Sequence, residues 1–169
     1  MKPMIDLYKT ESSNAFNSID SGDIEKFVNL IIDAYKGEKT VFACGNGGNV
    51  ASVQNLVLDL NMHPFVSEDK SKRSGGRNKF KSVSLCDSAA TITGLTNDLG
   101  FENIFVEQLK YQSNPGDILF AMSGSGNSKN IIEALTYAKE HGIRVTTHPG
   151  PFNVLGSPNT EVVRRTIIS

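Results

Sequence analysis

Two short stretches of the sequence gather residue types suited to holding an anion. In Gly45-Asn46-Gly47-Gly48, glycines admit positive φ and leave backbone N–H groups uncovered. In Ser123-Gly124-Ser125-Gly126-Asn127-Ser128, hydroxyl and amide side chains surround two glycines, and serine hydroxyls donate to phosphate oxygens. Each stretch follows a short apolar run and precedes an amphipathic one. Each therefore stands before a helix N-terminus, where free N–H groups and the helix dipole favour negative charge. What is missing narrows the ligand. The dinucleotide fingerprint needs a third glycine where Val50 and Lys129 stand, and a nucleoside triphosphate loop needs Gly-Lys-Ser/Thr after four spacers. Neither is present. A small phosphorylated metabolite held mainly by serines fits better than a nucleotide, and the bland alternative is two tight strand-to-helix turns.

The flanking residues predict the elements that carry these loops. Residues 1–22 have only loose helical spacing (Ile5, Tyr8, Phe16, Ile19). Ser21-Gly22-Asp23 then caps a helix with Ile24, Phe27, Val28, Ile31 and Tyr35 on one face, stopped at Gly37. Short apolar runs predict strands at Thr40–Cys44, Ser82–Cys86, Asp117–Met122 and Ile143–Thr147, with a fifth at Glu161–Val163 and Ile167–Ile168. Helical spacing appears at Val50–Leu60, Phe101–Leu109 and Ile131–Ala138. Strands alternating with helices predict one doubly wound α/β domain with a parallel sheet covered on both faces. Residues 1–36 form an N-terminal helical arm of that domain, and residues 37–169 its α/β body. In such sheets ligands bind at the carboxyl edge, where both loops stand.

Composition excludes several broad classes. The 169 residues suit one domain. A net charge of −1 with 21% charged residues argues against a disordered chain or a strongly basic nucleic-acid binder. No apolar run reaches the ~18 residues of a membrane span, and the start has no signal-peptide core. Cys44 and Cys86 make no disulfide framework; a reduced pair of packing residues in a cytoplasmic protein is expected. Six basic residues lie between Lys70 and Lys81. They read as a solvated loop, a nucleic-acid patch, or a loop that steers an anionic substrate.

Taken together, Gly45-Asn46-Gly47-Gly48, Asn97-Asp98-Leu99-Gly100-Phe101 and Ser123-Gly124-Ser125-Gly126-Asn127-Ser128 resemble the sugar isomerase (SIS) domain. Within it they are most similar to the phosphoheptose isomerase branch, over about residues 25–145. The resemblance implies a flavodoxin-like fold and conversion of sedoheptulose 7-phosphate to D-glycero-D-manno-heptose 7-phosphate for surface polysaccharide. It implies that Ser123, Ser125 and Ser128, with the Gly124 backbone, bind the phosphate. Asn46, Gly47 and Gly48 would contact sugar hydroxyls or phosphate, and Asn97 and Asp98 would line the same pocket. Asn49 stands where the family has a serine and keeps a polar donor. A cytoplasmic homotetramer is also implied, with N-terminal helices at the interface and sites between subunits.

The resembled isomerases hold zinc with a His and a Glu on the helix after the first loop, completed by a Gln and a His on a C-terminal helix. Here the first two positions are Asn55 and Asp59, and beyond about residue 145 the likeness stops with no such helix expected before Ser169. Neutral amide oxygen is a poor zinc ligand, so no zinc or other cofactor is expected. Aldose–ketose isomerisation still needs a base. Asp59 is the candidate, and His148, after the fourth strand, is the second. Pro64 disfavours helix at His63, and His141 reads as a helix-end residue. The expectation is a phosphoheptose isomerase-type enzyme with a degenerate metal site. The alternative is a non-catalytic phosphosugar-binding regulatory or protein-interaction module.

Overall fold

The computed structural model describes residues 2–62 and 80–148. Helices α1 (Lys2–Asn17) and α2 (Ser21–Lys36) precede strand β1 (Thr40–Gly45), helix α3 (Gly48–Met62) and strand β2 (Lys81–Ser84). Helix α4 (Ala89–Leu99), a 3-10 turn at Phe101–Asn103 and helix α5 (Val106–Gln112) lead to strand β3 (Ile118–Met122), helix α6 (Lys129–Glu140) and strand β4 (Arg144–His148). All three strand pairings are parallel, in the order β2-β1-β3-β4.

Alternation along the two central strands explains why their sequences are continuously apolar. Val41, Ala43, Ile118, Phe120 and Met122 face one side, where α2 and α3 cover them with Phe27, Leu30, Ala34, Val53 and Val57. Phe42, Cys44, Leu119 and Ala121 face the other, under Ile104, Phe105, Leu109, Ile131, Ala134 and Ala138. A strand buried on both faces has no polar side to show. Right-handed crossovers leave β1 and β3 in opposite directions, so α3 and α6 land on opposite faces. The loops after β1 and β3 diverge there and open a crevice.

Several boundaries differ from expectation for local reasons. Asp20 caps α2, its Oδ1 accepting from the Gly22 N–H at 2.6 Å. Glu38 carries the positive φ after that helix, at 53°, while Gly37 has φ −85°. Residues 2–17 form a full helix despite weak periodicity, and none of their side chains is buried. Strand β2 ends at Ser84, two residues early, because Cys86 N–H turns back onto Ser84 Oγ at 3.2 Å. Helix α4 was not foreseen in its Ala- and Thr-rich sequence. Ser88 caps it, accepting from Thr91 N–H at 3.1 Å. His63, residues 70–79 of the basic segment and the fifth strand lie outside the described residues; Lys81 begins β2.

Buried Asp117 closes the opposite edge of the sheet. Its carboxylate accepts from Thr40 N–H at 2.9 Å and Asn114 N–H at 2.8 Å, tying the start of β1 to the β3 turn. Asp117→Ala orphans both donors and is expected to cost about 2–3 kcal/mol. Urea unfolding should show the loss as a lower midpoint at unchanged slope.

Candidate functional site

Both glycine loops stand at the carboxyl edge over the β1/β3 crevice, the point where open α/β sheets bind ligands. Gly45 is the last β1 residue and lies beside Met122 of β3 in register. Asn46 follows, then Gly47 at φ 56°, a backbone state that side chains disfavour. Asn49 and Val50 N–H groups bond back to the Asn46 and Gly47 carbonyls at 3.1 Å each, starting α3. A Cβ on Gly48 would meet nothing within 4 Å, so no packing in the chain demands glycine there.

The second loop is a turn of hydroxyls. Ser123 Oγ accepts from Gly126 N–H at 3.1 Å, and Ser125 Oγ accepts from Asn127 N–H at 3.2 Å. Ser128 occupies the N-cap of α6, yet its hydroxyl makes no capping bond. It lies 3.4 Å from Ser123 Oγ instead. Two hydroxyls therefore converge beside a helix N-terminus, a geometry that complements an oxyanion.

The loops are joined by side chains. Asn46 Nδ2 donates to Asn130 Oδ1 at 2.9 Å, and Asn130 Nδ2 donates to Asn46 Oδ1 at 2.8 Å. Asn130 was not singled out from sequence; its only signal is a polar residue in the buried face of α6. Gln54 Nε2 also donates to Asp87 Oδ1 at 2.9 Å, holding α3 to the loop after β2.

The other candidates lie on separate elements. Asn97 Nδ2 donates to Asp98 Oδ1 at 2.8 Å, and both are exposed in the last turn of α4. Asp59 is exposed on α3, eleven residues beyond Gly48, or about 16 Å along the axis at the usual rise. Its neighbour Asn61 bonds Ser82 N–H and C=O at 3.1 Å each, at the start of β2. The structure thus places Asp59 toward the amino edge of the sheet, away from both loops of its own chain. His148 is the last residue of β4 and not beyond it, paired in register with Met122, the residue before Ser123.

Burial pushes the Cys44 thiol well up, and burial likewise raises Cys86 against the opposing pull of its bonds to Gly45 and Ser84. Cys86 Sγ donates to the Gly45 carbonyl at 3.4 Å. Both act as neutral packing groups, since the thiolate is the nucleophile.

The SIS domain model matches residues 8–147. The chain belongs to the SIS domain family. Curated relatives of this SIS domain include proteins named phosphoheptose isomerase from Campylobacter concisus, 33% identical over 73% of this chain and 61% of that protein. One from Geotalea daltonii is 37% identical over 73% of this chain and 60% of that protein. The chain spans less than two thirds of these relatives' length. A solved phosphoheptose isomerase from Francisella tularensis superposes with a TM-score of 0.74 at 21% identity, covering 98% of this chain and 91% of that one. The phosphoheptose isomerase GmhA from Neisseria gonorrhoeae superposes at 0.65 with 21% identity, over 98% and 91%. The fold is that of these SIS structures.

Proposed function

We propose that this SIS domain binds sedoheptulose 7-phosphate and isomerises it to D-glycero-D-manno-heptose 7-phosphate, a precursor of surface polysaccharide, in the cytoplasm. The observation that carries the reading is the convergence of Ser123 and Ser128 hydroxyls at the α6 N-terminus, across the crevice from Gly47 and Gly48, in a chain whose relatives are named phosphoheptose isomerases. Phosphate sits against Ser123, Gly124, Ser125 and Ser128. The sugar lies toward Asn46, Gly47, Gly48 and Asn49, with Asn97 and Asp98 completing the pocket.

The reaction takes a proton from carbon 1, passes through an enediol, and returns a proton to carbon 2 while a hydroxyl proton moves from O1 to O2. A carboxylate or imidazole suffices for each transfer. Asp59 is the proposed base, and its place on α3 requires that a second copy of the chain bring it to the pocket. His148, at the β4 end beside the serine loop, is the proposed acid–base group from the same chain. The α3 donor set does not fit zinc, because Asn55 offers a neutral amide where the resembled site needs an imidazole. No step here runs through a metal.

A homotetramer supplies that second copy. Ile24, Val28 and Ile32 form an exposed stripe on α2 at 52%, 46% and 40% exposure, and Met4 and Phe16 of α1 are 76% and 75% exposed. Large apolar patches of this kind mark contact surfaces. Val28→Glu with Ile32→Glu is expected to convert four copies to one or two by light scattering, with isomerisation lost in parallel.

Gly48→Ala separates a ligand role from a folding role. The added methyl meets open space and restricts the unfolded chain, so stability should hold or rise by about 0.5 kcal/mol. Affinity for the sugar phosphate should fall, because that space is where the ligand approaches. A coupled assay with sedoheptulose 7-phosphate, with and without added zinc, tests the function. Turnover supports it; binding without turnover leaves a phosphosugar-binding module instead.

A further inference from the structure

We propose that Asn130 is a positioning residue that sets the Asn46 amide toward the sugar and locks the two ligand loops into one unit. The inference rests on the sugar-phosphate reading of the site. Asn130 is 2% exposed and sits in the first turn of α6. Its orientation is dictated from below. Its Oδ1 accepts the Ile131 backbone N–H at 3.0 Å, so the amide nitrogen must point the other way. There it donates to Asn46 Oδ1 at 2.8 Å, while the Asn46 amide donates back to Asn130 Oδ1 at 2.9 Å.

Each amide has two N–H donors and two acceptor lone pairs. The two Asn130 acceptor sites are filled by Ile131 and Asn46. Asn46 spends one donor and one acceptor site on Asn130. It is half-buried and stands at the mouth of the β1/β3 crevice, with one N–H in hand for a ligand hydroxyl. Flipping the Asn46 amide would set N–H against N–H and oxygen against oxygen. The pair thus holds a donor aimed before the ligand arrives, which removes an ordering cost from binding. It also ties the loop after β1 to the helix whose N-terminus holds the phosphate.

The test is a double-mutant cycle read by calorimetric binding of sedoheptulose 7-phosphate to the full chain. Asn130→Ala is expected to weaken binding about tenfold, and in an Asn46→Ala background to add less than about twofold. A merely structural Asn130 would weaken both backgrounds by the same factor, and that result overturns the proposal. So does unchanged affinity in folded Asn130→Ala. Asn130→Asp, which keeps both acceptor roles and loses the donor, guards against misfolding and should also bind more weakly. The Asn46 side-chain amide resonances give a second reading without ligand: slow to exchange in the unaltered protein and fast in Asn130→Ala, which removes their acceptor. If the unaltered protein binds no sugar phosphate, the sugar-phosphate reading fails, while unchanged Asn46 exchange in Asn130→Ala would overturn the positioning role.

Discussion

Gly45→Ala is expected to lose about 2–3 kcal/mol of stability, a cost set by overpacking. The new Cβ would lie 2.9 Å from Asn49 Cβ, 3.2 Å from Asn49 O and 3.3 Å from Asn49 C. Two of those atoms are backbone, and that backbone is pinned by the first bonds of α3. The strand side cannot yield either, because Gly45 pairs with Met122 and its carbonyl receives the Cys86 thiol. The melting temperature should drop roughly 4–12 °C for a chain of this size. Affinity should fall more than the stability loss alone implies, since the loop that must shift also carries Asn46, Gly47 and Gly48. Retained stability in this variant would mean that β1 and α3 do not approach so closely.

Ser123→Ala combined with Ser128→Ala is expected to abolish most ligand binding with little loss of fold. Hydrogen bonds to a charged partner are worth about 1.5–3 kcal/mol each. Two of them represent roughly two to four orders of magnitude in affinity. On the stability side two internal bonds are lost, from Gly126 N–H to Ser123 Oγ and the long one between the two hydroxyls, together worth about 1–2 kcal/mol. Ser128 makes no capping bond whose removal would weaken α6. Because the two hydroxyls are 3.4 Å apart and address one ligand, the single variants should not sum to the double. Binding measured beside chemical denaturation separates the two effects.

The parallel sheet was legible because a strand buried on both faces must be apolar throughout, and the Val41–Cys44 and Ile118–Met122 runs have that composition. The glycine and serine loops were legible because few residue types can expose backbone N–H groups in a tight turn. Helix α4 was not: its Thr and Gly residues carry weak propensity, and none of its side chains is fully buried. What holds it is the Ser88 cap together with half-buried Ile92 and Leu95 against the core, seen only once the chain direction after β2 is known. The Asn46–Asn130 pair spans 84 residues of sequence, and nothing local to either residue announces the other. Asp59 shows the opposite limit. Its i, i+4 spacing from Asn55 was readable, but its distance from the serine loop depends on how α3 runs across the sheet. On the proposed reading, that direction makes Asp59 a residue delivered to the pocket by a neighbouring copy.

The central claim is that a sugar phosphate sits in the β1/β3 crevice, bridging the two loops. Titration of sedoheptulose 7-phosphate into the isotopically labelled chain, followed by backbone amide resonances, tests it most directly. Saturable shifts are predicted at Asn46–Asn49 and Ser123–Asn130 together, with one affinity for both loops. Shifts absent from both loops at millimolar ligand, or confined to some other face of the domain, would contradict it.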